Sequence, residues 1–303
     1  MNPGGRVKRL TLQERLIDPR SPDRRPRRAA YALPTMFTAG SVFLGFYALM
    51  EVFRGAMQTA ATTAGANVHF EWAAIAIGVS VFFDGLDGRI ARMTNTVSDF
   101  GREMDSLADC VTFGIAPAVL AFVWGVEFVT TLPDPLTVEH LRRVAYFFSF
   151  MFLLCGAMRL ARFNIQKNPV PKNPGRPDRK YFVGTPIPAA AAMVASIVYA
   201  MDGRPLHSWV LSVAWLALLG LLAFLMVSTW RYPSFKDLSL TRPRSPLTLV
   251  IVGCVIYLIW TLSQPVLLVM SGSYVLSGIV IRVGGIVRRR LRPSPVTPEH
   301  PVG

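Results

Sequence analysis

Four aspartates within residues 84–109 are the residues of this chain that are best placed to do chemistry. They are Asp84, Asp87, Asp105 and Asp109, in the segment DGLDGRIARMTNTVSDFGREMDSLAD. Apolar runs flank the segment, WAAIAIGVSVFF before it and CVTFGIAPAVLAFVW after it. A carboxylate within a membrane helix costs about 2.5 to 3.5 kcal/mol. Each of the four carboxylates therefore needs an interaction that offsets this cost, and we expect a divalent metal site to provide it.

The first two aspartates lie near the end of one predicted helix. Asp84 and Asp87 are three residues apart, so they share one side of that helix. Gly88 and Ala91 continue this side with almost no side chain, and Arg92 ends it. A bulky ligand can therefore lie against the helix backbone beside the two carboxylates.

The other two aspartates lie on the helix that follows. Gly101, Asp105 and Asp109 are each four residues apart and again share one side. The short polar connection 93–100 predicts that this helix returns antiparallel to the first, which brings both pairs to one end of a hairpin. Carboxylate oxygens in this number suit hard divalent cations, Mg²⁺ or Mn²⁺, which often bind together with phosphate.

Two other interpretations of the aspartates are left open by the residues themselves. They can pair with Arg89, Arg92 and Arg102 or lie in solvent, although this gives no purpose to the regular spacing and the interleaved glycines. They can also belong to a site that moves protons or ions. Such sites usually place single carboxylates deeper in the membrane and on separate helices.

The rest of the chain predicts an all-α, polytopic membrane protein. Its 303 residues are 52% hydrophobic, its mean hydropathy is +0.40, and several runs approach the length of about 20 apolar residues that a span requires. The last two of the eight predicted spans are short and could form one tight hairpin, so six to eight spans are expected. The eight are Pro34–Val52, Trp72–Ile90, Met104–Phe128, Val144–Ala161, Phe182–Met201, Trp209–Trp230, Leu247–Leu262 and Pro265–Val283.

These spans divide the chain into four predicted parts. Residues 1–33 form a basic, disordered tail, 34–230 a six-helix core, 231–284 a C-terminal helix pair, and 285–303 a second basic tail. The three cysteines are scattered through apolar spans, which predicts neither a disulfide framework nor a zinc site.

The net charge of +14 is explained by topology rather than by nucleic-acid binding. With the amino terminus inside, most basic residues fall on the cytoplasmic side, as the positive-inside rule requires. The exceptions among the 32 Lys and Arg residues are Arg54, Arg142, Arg143 and Arg204. We therefore expect a multi-pass protein of the cell (inner) membrane with both termini in the cytoplasm.

The fourth predicted span ends in the polar sequence MRLARFN. Arg159 and Arg162 are three residues apart and point the same way, and Asn164 lies just beyond them. The arginines can extend toward the lipid headgroups, or they can bind a phosphate or carboxylate beside the metal site. The residues alone do not decide between these two roles.

The aspartate pattern resembles the signature of the CDP-alcohol phosphotransferases. That pattern is Asp84-x2-Asp87-Gly88-x2-Ala91-Arg92-x8-Gly101-x3-Asp105-x3-Asp109. The stretches MDSLADCVTFGIAPA, MRLARFN and FVGTPIPAAAA are similar to the phosphatidylserine synthase branch of that family, and the likeness runs from about residue 34 to 200. One departure is Thr35, where relatives often carry Asn.

The resemblance implies a transferase that moves the phosphatidyl group of CDP-diacylglycerol to the hydroxyl of L-serine and releases CMP. It also implies a homodimer, with membrane lipids as further partners and no nucleic acid. The family's metal ligands for two divalent ions, Mg²⁺ or Mn²⁺, match Asp84, Asp87 and Asp105, and its general base, which is also placed at the metals, matches Asp109. The matches to the CDP-binding positions are Asp87, Gly88, Ala91, Arg92 and Gly101.

The resemblance makes Arg159, Arg162 and Asn164 candidates for binding the serine carboxylate or the lipid phosphate. A sibling enzyme that uses glycerol 3-phosphate or inositol phosphate is the alternative within the family. An ion-coupled transporter is the alternative outside it.

Overall fold

The computed structural model describes residues 28–61, 65–94, 99–131, 134–167, 181–233 and 246–291. The third span is interrupted by π-helical turns at Cys110–Ile115 and Val123–Glu127. In chain order the helices and strands are α1 (Arg28–Ala61), α2 (Val68–Thr94), α3 (Asp99–Asp109), α4 (Ala116–Phe122), α5 (Pro135–Lys167), β1 (Tyr181–Val183), α6 (Ile187–Ala200), α7 (Trp209–Val227), β2 (Arg231–Pro233), α8 (Pro246–Thr261) and α9 (Ser263–Leu291).

Both ends of the chain are more helical than the sequence indicated. Helix α1 begins at Arg28 and α9 continues to Leu291, so each takes in part of a predicted tail. The rest of the two tails, 1–27 and 292–303, lies outside the described residues, as does most of the basic loop that precedes β1.

Six helical segments in the described part of the chain are long and apolar enough to cross a membrane, which confirms the polytopic helical fold. The other two predicted spans are shorter helices: α6 has 14 residues and α8 has 16, about 21 and 24 Å at 1.5 Å per residue. The six segments are Met36–Ala61, Val68–Leu86, Phe100–Glu127, Pro135–Ile165, Trp209–Val227 and Ser263–Gly284.

The third span, Phe100–Glu127, is the most buried of the six. Trp215 of α7 packs edge-on against Trp124 with ring centroids 5.0 Å apart. The indole of Trp215 also donates a buried hydrogen bond to the carbonyl of Ala121 at 2.9 Å. The core therefore surrounds this span, which carries two of the four aspartates.

The third span is not a regular α-helix. Pro117 lies in the first turn of α4, where it has no N–H to donate and its ring crowds the carbonyl four residues earlier. The chain widens into the π-helical turn Cys110–Ile115 directly before α4. Such turns are rare and are frequent at functional sites.

Two three-residue strands are an exception to the all-helical expectation. β1 and β2 pair antiparallel, with Phe182 opposite Tyr232. Gly184 follows β1 with φ +78°, and its N–H donates to the carbonyl of Trp230 at 2.8 Å. A Cβ at Gly184 would lie 2.5 Å from the carbonyl oxygen of Met226, so this position requires glycine. The strands join the start of α6 to the end of α7.

Candidate active site

Three of the four aspartates meet at one end of the bundle. Asp84 of α2 and Asp105 and Asp109 of α3 are half-buried, and one carboxylate oxygen from each lies within 4.8 Å of the others. Oxygens bound to one Mg²⁺ or Ca²⁺ lie about 2.0 to 2.6 Å from the ion, and so up to about 5 Å from each other. The donor type and the spacing therefore fit a hard divalent cation.

The remaining positions of the aspartate pattern are only partly described. Gly88 lies on α2 and is half-buried, and Gly101 is exposed in the first turns of α3. The backbones of Asp87, Ala91 and Arg92 continue α2, but their side chains lie outside the described part of the structure. The predicted roles of these five residues in holding metal or nucleotide stay predictions.

Asp109 is placed by the irregular turn that follows it. It is the last residue of α3 and directly precedes the π-helical turn. Within that turn, the hydroxyl of Thr112 donates a buried hydrogen bond to the carbonyl of Ser41 in α1 at 3.0 Å. A Cβ on Gly45 would lie 2.7 Å from this hydroxyl and 2.9 Å from the Thr112 Cα. Close packing of α1 therefore fixes the backbone next to Asp109.

The three polar residues at the end of α5 have different surroundings. Arg159 is half-buried, and it interacts electrostatically with Asp109 and Asp84. Arg162 is exposed and its nearest hydrogen-bond acceptor is the carbonyl of Val227, at 3.5 Å. Asn164 donates to the hydroxyl of Ser106 at 2.8 Å. Arg159 thus interacts electrostatically with the acidic cluster, and Asn164 contacts α3 at Ser106, next to Asp105, whereas the sequence had offered all three residues on equal terms.

A tyrosine of the last helix also lies at this end of the bundle. Tyr274 of α9 interacts electrostatically with Arg159, and its ring lies 5.7 Å from that of Tyr232 in β2. A buried phenol requires a polar partner. A tyrosine inside an apolar span was thus the signal that could have indicated the site.

These observations define a class: a polytopic helical membrane protein whose helices bring together, at one end, carboxylates that suit a divalent metal. Residues 31–224 match the CDP-alcohol phosphatidyltransferase family, and the chain belongs to it. The match confirms the resemblance seen in the aspartate pattern. Members are transferases and depend in general on a divalent metal.

Individual relatives extend the similarity beyond the family region. A CDP-diacylglycerol–serine O-phosphatidyltransferase of Helicobacter pylori is 34% identical over 256 residues, 84% of this chain and 92% of the relative. The protein of that name in Bacillus subtilis is 30% identical over 204 residues, 67% of this chain and 91% of the relative. An archaetidylserine synthase of Methanothermobacter thermautotrophicus is 33% identical over 165 residues, 53% of this chain and 58% of the relative.

Proposed function

We propose that this protein transfers the phosphatidyl group of CDP-diacylglycerol to the hydroxyl of L-serine, forming phosphatidylserine and CMP. The observation that carries the proposal is the meeting of Asp84, Asp105 and Asp109 at the positions that the family pattern assigns to metal and base. The names of the relatives add the acceptor, because those that cover most of this chain are serine enzymes.

The aspartates divide into metal ligands and a base in this proposal. Asp84, Asp87 and Asp105, with Asp109 beside them, would hold two ions, Mg²⁺ or Mn²⁺. Bound there, the ions would neutralise charge on the pyrophosphate. Asp109 takes the proton of the serine hydroxyl, which is otherwise a weak nucleophile. The serine oxygen bonds to the phosphorus that carries diacylglycerol, the bond to the CMP oxygen breaks, and CMP leaves with that electron pair.

The other predicted residues bind the two substrates. Gly88, Ala91 and Gly101 leave room for the nucleotide, and Arg92 neutralises phosphate. Arg159 is our choice for the serine carboxylate, because it lies beside the acidic cluster while being only half-exposed. Arg162 and Asn164 are secondary candidates for the lipid phosphate.

We place the acidic end of the bundle at the cytoplasmic face of the cell membrane, with both termini on that side. The four basic residues that the positive-inside rule leaves outside the cytoplasm lie at the end of the bundle far from the aspartates, which supports this placement. Each of them forms an ion pair there. The pairs are Arg54 with Glu51, Arg142 with Glu127, Arg143 with Glu139 and Arg204 with Asp202. We also propose that the protein is a homodimer, as the family resemblance implies.

Release of CMP by the purified protein tests the function. We expect release from CDP-diacylglycerol with L-serine and Mg²⁺ or Mn²⁺, none after EDTA treatment, and recovery when either ion is returned. Release with glycerol 3-phosphate or inositol phosphate instead would keep the family chemistry and overturn the acceptor. No release with any alcohol would overturn the enzyme and favour the transporter.

A further inference from the structure

A hydrogen bond between two helices lies within one turn of the acidic cluster. The side-chain amide of Asn164, on α5, donates to the hydroxyl of Ser106, on α3, at 2.8 Å. That hydroxyl donates in turn to the carbonyl of Arg102 at 3.0 Å. Ser106 directly follows Asp105 and precedes Asp109 by three residues. The contact therefore joins α5 to the part of α3 that carries both aspartates.

Ser106 and the two aspartates turn together, because they lie on one short helix. Each residue of an α-helix is rotated by about 100° from the one before, so Asp105 and Asp109 are about 40° apart. Ser106 lies about 100° from Asp105 and about 60° from Asp109. A rotation of α3 that moved Ser106 away from α5 would therefore also turn both carboxylates relative to Asp84.

Apolar packing gives α3 little to hold its rotation. Phe100 and Leu107 are 76% and 65% exposed, and Ala108, which is buried, is small. The hydrogen bond of Thr112 to α1 acts on the turn that follows the helix. The contact at Ser106 supplies a second fixed point within the helix itself.

The donor of this contact is held in place by the core. Phe152 of α5 is completely buried, and Leu160 is buried as well. At Gly156 the helix packs so closely on α6 that a Cβ would lie 2.5 Å from Cδ1 of Ile187. Asn164 lies one turn beyond Leu160 on the same continuous helix. Helix α5 is therefore a fixed reference against which α3 is set.

A metal site depends on such control of its ligands. Mg²⁺ requires oxygen ligands in near-octahedral geometry at about 2.0 to 2.1 Å. Here the ligands come from two helices, because Asp84 lies on α2 whereas Asp105 and Asp109 lie on α3. Hydrogen bonds that orient the ligands of a metal typically contribute about 10- to 100-fold to its affinity.

We propose that Asn164 is a positioning residue for the metal site: through Ser106 it fixes the rotation at which α3 presents Asp105 and Asp109. The inference rests on the metal site of the proposed function and deepens it. This role is distinct from direct binding of the lipid phosphate, for which Asn164 is a secondary candidate, and the two roles predict different results.

Binding of Mn²⁺ to the purified protein without substrate tests this role, and the EPR signal of free Mn²⁺ measures it. We expect Asn164→Ala and Ser106→Ala each to raise the Kd for Mn²⁺ about tenfold. The double variant should bind no more weakly than either single variant, because both changes remove the same contact.

Ser273→Ala is the matched control for the loss of a serine hydroxyl. Ser273 is exposed on α9, and its hydroxyl donates to the carbonyl of Met270 in the same helix at 3.0 Å. This variant should keep the wild-type Kd for Mn²⁺.

Two further readouts separate positioning from general packing. Ser106→Thr keeps the hydroxyl, so it should keep the wild-type Kd for Mn²⁺. The Tm of the metal-free protein should stay close to that of wild type in Asn164→Ala and Ser106→Ala, because the packing of α5 and α1 is unchanged. A raised Kd that Ser106→Thr shares, or that accompanies a large fall in the metal-free Tm, would assign the contact to packing alone and overturn the proposal.

Kinetics with CDP-diacylglycerol distinguish positioning from lipid binding. At saturating Mn²⁺ we expect both single variants to have the wild-type KM for CDP-diacylglycerol. A KM that rises in Asn164→Ala but not in Ser106→Ala would mean that Asn164 binds the lipid itself, and it would overturn the positioning role.

The remaining outcomes are also decisive. An unchanged Kd for Mn²⁺ in both single variants, or full additivity in the double variant, would overturn the inference and leave the proposed function intact. Absence of Mn²⁺ binding by the wild-type protein would instead overturn the metal site of the proposed function, before any variant is compared.

Discussion

The two ends of the bundle differ in which charged side chains they bring together. At the end opposite the aspartates, Glu51 is 3% exposed and accepts a hydrogen bond from His69 at 2.6 Å and another from Arg54 at 2.9 Å. Asn67 donates to the carbonyl of Gly55 at 2.9 Å and to the hydroxyl of Thr59 at 2.8 Å. Buried polar groups cost little once they are paired in this way. We call this region the paired end.

Connections between helices at the paired end are also hydrogen-bonded through the backbone. Thr130 donates to the carbonyl of His207 at 3.1 Å, and Leu206 donates to that of Trp124 at 3.0 Å. The Cβ that Gly203 lacks would collide with the backbone at Asn67. This end is closed by contacts within the chain.

The acidic end gathers like charges instead. Asp84, Asp105 and Asp109 bring carboxylate oxygens within 4.8 Å of one another, and like charges so close oppose ionisation unless a cation joins them. Arg159 nearby keeps a buried Nε without a partner. The comparison teaches that the paired end stabilises the fold. At the acidic end, repulsion between the carboxylates lowers stability, and a bound cation would relieve it.

Replacement of the proposed base should have the largest effect on turnover. Asp109→Asn should lower kcat by about 10³-fold while CDP-diacylglycerol still binds, measured as a rise in Tm with the nucleotide lipid. The matched change at the paired end is Asp202→Asn, where φ is 53° and Asn tolerates this conformation. That variant should keep full activity. Turnover by Asp109→Asn would mean that another group is the base.

The two arginines of α5 provide a matched pair within the acidic end. Arg159→Ala should lower kcat/KM for serine by about 10- to 100-fold, since a charged hydrogen bond to the carboxylate is lost. Arg162→Ala should cost much less, because Arg162 is exposed and donates only a long hydrogen bond, 3.5 Å, to the carbonyl of Val227. Steady-state kinetics with varied serine measures both. Equal losses, or none in Arg159→Ala, would contradict the assignment.

The contact beneath Asp109 should have the next largest effect. Gly45→Ala places a Cβ 2.9 Å from the backbone Cα of Thr112, so the π-helical turn must move. We expect a stability loss of about 1 to 3 kcal/mol with reduced kcat. Gly78→Ala is the control, since nothing lies within 4 Å of its Cβ position. If both variants had the wild-type Tm and kcat, the packing of α1 would not determine the position of Asp109.

A change at the paired end should alter turnover least. Glu51→Gln removes the charge that His69 and Arg54 share, and we expect an unfolding free energy lower by about 1 to 3 kcal/mol with kcat per folded protein unchanged. Thermal unfolding and CMP release on the same preparation measure the two effects. A selective loss of kcat without loss of Tm would mean that the two ends are coupled, contrary to the contrast between them.

Local spacing was enough to predict that the aspartates meet. Two residues three or four positions apart on a helix must share a side, and a short connection must return the next helix alongside. That reasoning applied to Asp84, Asp105 and Asp109. It could not separate Arg159 from Arg162, because both lie on one side of α5 and only the neighbouring helices decide which is covered.

The length of α6 and the position of Tyr274 could not be predicted from local spacing, because both depend on contacts between segments far apart in sequence. The apolar run Phe182–Met201 predicts a full span, but pairing of β1 with β2 and the turn at Gly184 delay the helix to Ile187. Tyr274 lies at the acidic end because α9 is held to α6 by side chains distant in sequence, such as Ser196 and Ser271.

The sequence by itself determined the membrane class, the helical fold and the set of carboxylates for a divalent metal, because hydropathy and helical periodicity act over short stretches of chain. Only the tertiary structure decided which arginine lies near the carboxylates, that α1 packs against the backbone just after Asp109, and that the last helix brings a tyrosine to the acidic end. These features depend on packing between elements that are far apart in sequence. The order of the elements along the chain does not specify that packing.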